Sequence, residues 1–147
     1  MKSRVINEGS QRTFVLIFDT GDEVVEGLQG FARDHEISAA QFTALGALSD
    51  VVLGYFDWQK EEYRRIAIAE QVEVVSLLGD FALAEDGKPG LHAHIVVGKS
   101  DGTAHGGHLL EGHVRPTLEV VVTESPAHLR RKHDPESGLA LIRLGTD

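Results

Sequence analysis

The sequence predicts an α+β fold, a mostly antiparallel β-sheet with one main flanking helix. Three observations predict it. One stretch, residues 23–35, repeats apolar residues at helical spacing; from Ala40 onward the apolar pattern changes to that of strands; and the connections between those runs are short and contain Gly, Pro, Asp or Ser, as antiparallel hairpins require. A helix followed by a long series of strands argues against alternating βαβ units.

Taken in order, RTFVLIFDT (residues 12–20) reads as a buried strand that stops at Thr20-Gly21-Asp22. In the helix that follows, Val24, Leu28, Phe31 and Ala32 share one face. Asp22 is its expected N-cap, and Glu23 and Glu26 fall in the first turn, where acids favour the positive end of the dipole. FTALGAL and VVLGYFDW come next, separated at Ser49-Asp50, then EEYRRIAIA, VEVVSLLGDFALA, LHAHIVVG, TAHGGHLL and LEVVVTE. The run over 72–84 is long for one strand, and Gly79-Asp80 is the expected bend or bulge. Near the end, LALIRL predicts a closing strand. The apolar runs at 51–56 and 74–78 are candidates for core or for an interface. With no internal repeat and no linker, one domain over 1–147 is expected.

A chain of 147 residues is long enough to bury roughly two-thirds of its unfolded surface. Its longest apolar runs fall far short of the ~18 residues that span a bilayer, so a soluble protein without membrane attachment is expected. The N-terminus starts with basic residues, but no apolar segment follows, so it does not resemble a secretory signal. The absence of cysteine agrees with a cytoplasmic location and excludes disulfides, thiolate metal sites and thiol nucleophiles. A formal charge of −9, from 14 basic against 23 acidic residues, disfavours binding to bare duplex DNA, which rests on Lys and Arg displacing counterions. The cluster Arg130-Arg131-Lys132-His133 is short and soon followed by Asp134 and Glu136; it reads as a solvated surface turn.

The chemistry concentrates at residues 90–112, GLHAHIVVGKSDGTAHGGHLLEG, which hold His92, His94, His105 and His108. Side chains alternate along a strand, so His92 and His94 stand on one face, about 6.6 Å apart along the backbone at ~3.3 Å per residue, where both rings can reach one ion. Whether His108 joins them depends on the turn at Ser100-Asp101-Gly102. A three-residue loop with Gly102 in the left-handed position pairs Lys99 with Thr103 and sets His94 opposite His108 on the same face. A two-residue Asp101-Gly102 turn would pair position 95 with 108 and turn His108 away. On the first register His105 and His113 point to the other face, unless Gly106-Gly107 breaks the alternation. Gly106 and Gly107, lacking β-carbons, let the backbone pass close to a neighbour or to a ligand.

Three histidines with one open position is the pattern of ligand-accepting zinc, whereas structural zinc is usually closed by four protein ligands. The alternative is a polar row on a solvated sheet face, or histidines hydrogen-bonded at an interface. His35, His128 and His133, scattered at a helix end and in a polar segment, suit that plainer role. Glu111 and Glu119 flank the hairpin; either could orient a ligand imidazole or act as a base on metal-bound water, and both could equally be surface acids. No Gly-rich phosphate loop, Gly-x-Ser-x-Gly elbow or serine triad is present. If the protein is an enzyme, metal-dependent lyase or hydrolase chemistry is the credible route.

The stretch LHAHIVVGKSDGTAHGGHLLEG followed by VRPTLEVVVTE, together with FTALGALSDVVLGYFD, EVVSLLGDFAL and DPESGLALI in the same order, resembles the PPC (plants and prokaryotes conserved) domain family in its stand-alone prokaryotic form. The resemblance covers nearly the whole chain. It implies an antiparallel sheet with a flanking helix, assembly as a homotrimer, and a fold similar to acetolactate decarboxylase, where three histidines hold zinc. His92, His94 and His108 match the histidine motif of prokaryotic members, which resemble metal-binding proteins. Plant members carry an AT-hook, an Arg-Gly-Pro tract that enters the minor groove, and act in transcription. No such tract occurs in these 147 residues. A DNA-binding or transcription-associated scaffold is therefore the alternative expectation, carried by the family and not by the charge. His105 and His113 stand where the family usually has other residues, so they could enlarge or perturb the metal site.

Overall fold

A computed structural model describes residues 1–7, 9, 11–125 and 128–144. Its elements are β1 (Lys2–Asn7), β2 (Thr13–Asp19), α1 (Val24–Asp34), β3 (Ala39–Asp57), β4 (Glu62–Ile68), β5 (Val72–Leu83), β6 (Pro89–Gly98), β7 (Ala104–Glu124), β8 (Arg131–His133) and β9 (Ala140–Ile142). The fold is the expected antiparallel sheet with one flanking helix.

Two long strands organise it. β3 and β7 pair antiparallel from Ala40 opposite Glu124 to Gly54 opposite His108. The free edge of β3 takes β5 near its start and β4 near its end, while the free edge of β7 takes β6 near its start and β2 near its end. Because β5 also pairs with β6, the path β3–β5–β6–β7 returns to β3, so pairing closes on itself. Closure requires bent strands, and the β3–β7 ladder shifts register between Gly46 and Leu48, between Leu48 and Asp50, and between Val52 and Leu53. A side chain at Gly46 would meet the Thr117 carbonyl oxygen at 2.2 Å, so the close crossing of the two backbones requires glycine there.

The apolar residues of alternating strand positions form one core cluster with the helix, including Phe14, Leu16, Phe18, Leu28, Phe31, Leu53, Leu77, Phe81, Ile95 and Leu118. Alternation divides both candidate interface runs. Val51, Leu53, Val74 and Leu77 belong to the core, whereas Tyr55, Val75 and Leu78 are exposed on the outside of the sheet.

Several expected boundaries are corrected. Ser49-Asp50 does not separate two strands, because the irregularity is a shift of register inside the continuous β3. The hairpin strand TAHGGHLL and the later LEVVVTE are likewise one strand, β7, running through the cis Arg115–Pro116 bond. β5 bulges between Val74 and Ser76, not at Gly79; Gly79 stays in register, and its missing side chain makes room for the Phe42 ring, 2.2 Å from where a β-carbon would sit. Glu23, not Asp22, caps α1 by accepting from the Glu26 N–H, while Asp22 accepts from the Asp19 N–H and pairs with the N-terminal amine. The expected closing strand is only Ala140–Ile142 and pairs with β8 in a separate two-stranded sheet. Residues 130–133 are not a solvated turn. Arg131 is 9% exposed and paired with Asp80 of β5. β1 carries almost no buried side chain, which is why no apolar pattern announced it. No helix among the described residues is long and apolar enough to cross a membrane.

Candidate metal centre

The site begins with alternation along β6. Ala93, Ile95 and Val97 are buried in the core, so His92 and His94 project from the opposite, outward face. The turn then fixes the partner strand. The Lys99 N–H donates to the Thr103 carbonyl at 2.9 Å, the Gly102 N–H donates to the Lys99 carbonyl at 2.9 Å, and Gly102 has φ +82°. The Asp101 carboxylate accepts from the Thr103 N–H at 2.9 Å. This is the three-residue loop, and it places His94 directly opposite His108.

The three rings converge. His92 and His108 stack with centroids 5.3 Å apart, and His94 stands edge-on to both, at 5.0 and 5.5 Å. One nitrogen from each ring lies within 4.8 Å of the other two. The Nε2 atoms of His92 and His94 are 3.2 Å apart, a separation that suits a hydrogen bond when one of them carries the proton and suits two lone pairs meeting at one ion when neither does. Gly107 lets this happen: a β-carbon there would lie 2.8 Å from the Gly54 carbonyl oxygen, so the glycine allows β7 to lie close against β3 beside His108.

Electrostatics favour uncharged rings. Burial pushes His108 down to about 4, with His92, His94 and Arg131 as further positive neighbours acting the same way. Burial, then His92, lowers His94 as well. Both rings are therefore neutral near pH 7, the form in which imidazole binds a metal. The Nδ1 of His108 is buried without a hydrogen-bond partner among the described residues, a costly state that the chain itself does not relieve. Converging imidazoles, two of them held neutral, with an unsatisfied buried nitrogen form a donor set that fits a borderline divalent ion such as zinc.

Two neighbours of the cluster escaped the sequence reading. Asp80 lies opposite His92 in the β5–β6 ladder, and its Oδ2 is 3.7 Å from His92 Nδ1. Burial would raise this carboxyl, but His92 and Arg131 outweigh burial and hold it below its ordinary range. Tyr63 of β4 covers His108, with centroids 4.7 Å apart, and burial raises its phenol. The only sequence signal for Asp80 was an acid inside an apolar run, at a position given to a bend.

The remaining candidates lie elsewhere. Glu111 pairs with Arg65, and Glu119 lines a hollow with Leu45, Leu78 and Val121. Neither belongs to the three-histidine group. His105 is exposed, opposite Val97, and His113 bonds Asp50 through Nδ1 at 2.8 Å; both stay outside the cluster. Gly106 faces the Ile95 carbonyl and the Val96 side chain. His35 packs on Phe14 and Phe31, and His128 bonds the Ser38 hydroxyl.

A closed antiparallel sheet with one helix and three histidines converging on its outer face defines the class of protein. Residues 6–126 match the model of the Plants and Prokaryotes Conserved (PCC) domain, and the chain belongs to that family. Solved structures agree. A plant- and prokaryote-conserved (PPC) protein from Pyrococcus horikoshii is 31% identical with a TM-score of 0.84, covering 92% of this chain and 93% of that one. A metal-containing protein from Archaeoglobus fulgidus is 33% identical with a TM-score of 0.82, covering 97% and 96%. A protein from Ralstonia eutropha JMP134, named as a candidate DNA-binding protein, is 32% identical with a TM-score of 0.82, covering 90% and 91%. Among curated proteins, the bifunctional protein GlmU of Synechococcus sp. (strain JA-3-3Ab) is 32% identical over 139 residues. The match covers 92% of this chain but 21% of that relative, so the chain spans about a fifth of its length.

Proposed function

We propose that this protein binds a divalent metal ion, zinc by the chemistry of its donors, through His92, His94 and His108. The observation that carries the reading is the approach of one nitrogen from each ring to within 4.8 Å of the others. The metal content of the A. fulgidus relative supports it. The hollow beside the rings, lined by Leu78, Gly79, Asp80, His92 and His94, leaves room for an exchangeable ligand. A bound zinc ion would supply Lewis acidity there, polarising a carbonyl or activating water, the chemistry of a lyase or hydrolase. The protein's part is to hold three imidazoles in place, with His94 and His108 kept neutral, and to offer an open, partly apolar approach.

Assembly as a homotrimer belongs to the same reading. Leu45, Val75, Leu78 and Val121 stay exposed on the outside of the sheet, an apolar surface that association would cover. One domain over the whole chain and a cytoplasmic setting complete the proposal.

Metal analysis of protein prepared without a histidine tag tests it. Stoichiometric zinc in the native protein, lost in His94→Ala, is the expected result; unchanged zinc in that variant refutes the site. A DNA-associated role is the second reading, favoured by the name of the R. eutropha relative and opposed by the charge of −9. Titration with A·T-rich duplex at several salt concentrations separates the two, because phosphate contacts bring a steep salt dependence.

A further inference from the structure

His92 has two ring nitrogens with different neighbours. Its Nε2 meets His94 Nε2 at 3.2 Å, and its Nδ1 lies 3.7 Å from the Asp80 carboxylate. A lone pair aimed at a carboxylate is repelled, whereas an N–H in the same place is attracted. The carboxylate is itself fixed from behind. Arg131 donates through one terminal nitrogen to Asp80 Oδ1 and through the other to the Ala140 carbonyl at 3.2 Å. Its side chain is 9% exposed against 29% for Asp80, so the cation sits inside and the acid faces outward. The small β8–β9 sheet delivers this arginine: Leu83 of β5 bridges to Arg130, and the Leu83 N–H donates to the Leu129 carbonyl at 2.8 Å.

We propose that Asp80, anchored by the buried Arg131, is a positioning residue that holds His92 in its Nδ1–H tautomer and so turns the Nε2 lone pair toward the three-histidine centre. The consequence for metal affinity rests on the metal-binding reading above; the tautomer does not. Arg131 then has a task beyond joining two sheets. Being planar and forked, its guanidinium keeps one carboxylate oxygen occupied and leaves the other free for the histidine. Carboxylate partners of this kind set the ring orientation of metal-binding histidines, and losing one commonly weakens metal binding by about 10–100-fold.

The test uses Asp80→Asn, which preserves shape. Beside Arg131 the new amide turns its oxygen to the guanidinium and its NH₂ to His92, favouring the opposite tautomer. In chelator-treated protein, long-range ¹H–¹⁵N spectra of the His92 ring are expected to show Nδ1–H in the native chain and Nε2–H in Asp80→Asn. Zinc affinity, measured by competition with a chromophoric chelator, is expected to fall about 10–100-fold in the variant. A native His92 protonated at Nε2, or an Asp80→Asn protein with the native tautomer and native affinity, overturns the proposal. If the variant does not fold, the native tautomer alone decides. If native protein and His94→Ala take up zinc equally, the metal reading fails, and the tautomer still decides the role of Asp80.

Discussion

His94 on β6 lies directly opposite His108 on β7, and this one pairing gathers the cluster. His92 and His94 share a face by alternation alone, but His108 reaches that face only because three residues, and not two, make the turn. A short polar loop thus decides whether the protein has a three-histidine site.

Gly102→Val tests the turn. Gly102 has φ +82°, and no atom lies within 4 Å of where its β-carbon would be, so the penalty is backbone strain without a clash. A loss of about 1–2 kcal/mol is expected in chemical or thermal unfolding, with zinc stoichiometry retained. A variant as stable as the native protein would contradict the left-handed turn.

Gly107→Ala tests the close approach of β7 to β3. The added methyl would meet backbone, the Gly54 carbonyl oxygen at 2.8 Å, which no rotamer change relieves. Destabilisation of about 1–3 kcal/mol is expected. Because His108 is the next residue, weaker zinc binding should accompany it.

The ion pair of His113 and Asp50 predicts a pH dependence that does not involve the cluster. Its hydrogen bond to Asp50 raises His113 above its ordinary 6.5, and the bond to His113 lowers Asp50 below its ordinary 3.8 against opposing burial. The histidine's contribution is full below pH 6.5 and disappears as pH rises through its raised folded value. The aspartate's is full above pH 3.8 and disappears as pH falls through its lowered folded value. Both side chains are more than two-fifths exposed, so solvent screening keeps the pair to about 0.2–1 kcal/mol. His113→Ala should lower Tm more at about pH 5.5 than at about pH 8.5. An equal loss at both would show that the pair contributes nothing.

Leu78→Lys tests the assembly. Leu78 is 56% exposed and lies opposite His94 in the β5–β6 ladder, so a partner packed on this face would also border the histidines. Sedimentation analysis should show the native protein as the proposed trimer and Leu78→Lys shifted toward smaller species, while the far-UV spectrum of the variant stays native. A native protein that sediments as a monomer would refute the assembly, and a variant that sediments like a trimeric native protein would place the interface elsewhere.

The helix, the antiparallel character of the sheet and the hairpin register were legible because they rest on local patterns. Val24, Leu28, Phe31 and Ala32 announce one helical face, and Gly102 selects its turn. What the sequence concealed is non-local. The bends that make β3 and β7 single strands resemble turns, since a bulge and a turn use the same small polar residues, as at Ser49-Asp50. β1 buries too little to show a period. Asp80 and Arg131 are 51 residues apart, and only the folding of the C-terminal segment against β5 joins them. Arg131 looked like part of a solvated basic cluster because nothing local reveals a buried partner. The acids nearest the histidines in sequence, such as Glu111, were more conspicuous, yet that one faces Arg65.

The most direct test of the central claim is anomalous scattering from crystals of tag-free protein grown without added metal, recorded on both sides of the zinc absorption edge. The account predicts one anomalous peak per chain, bounded by the rings of His92, His94 and His108 and present only above the edge. A well-ordered cluster with no peak among the three rings, or a peak held by other residues, would contradict it.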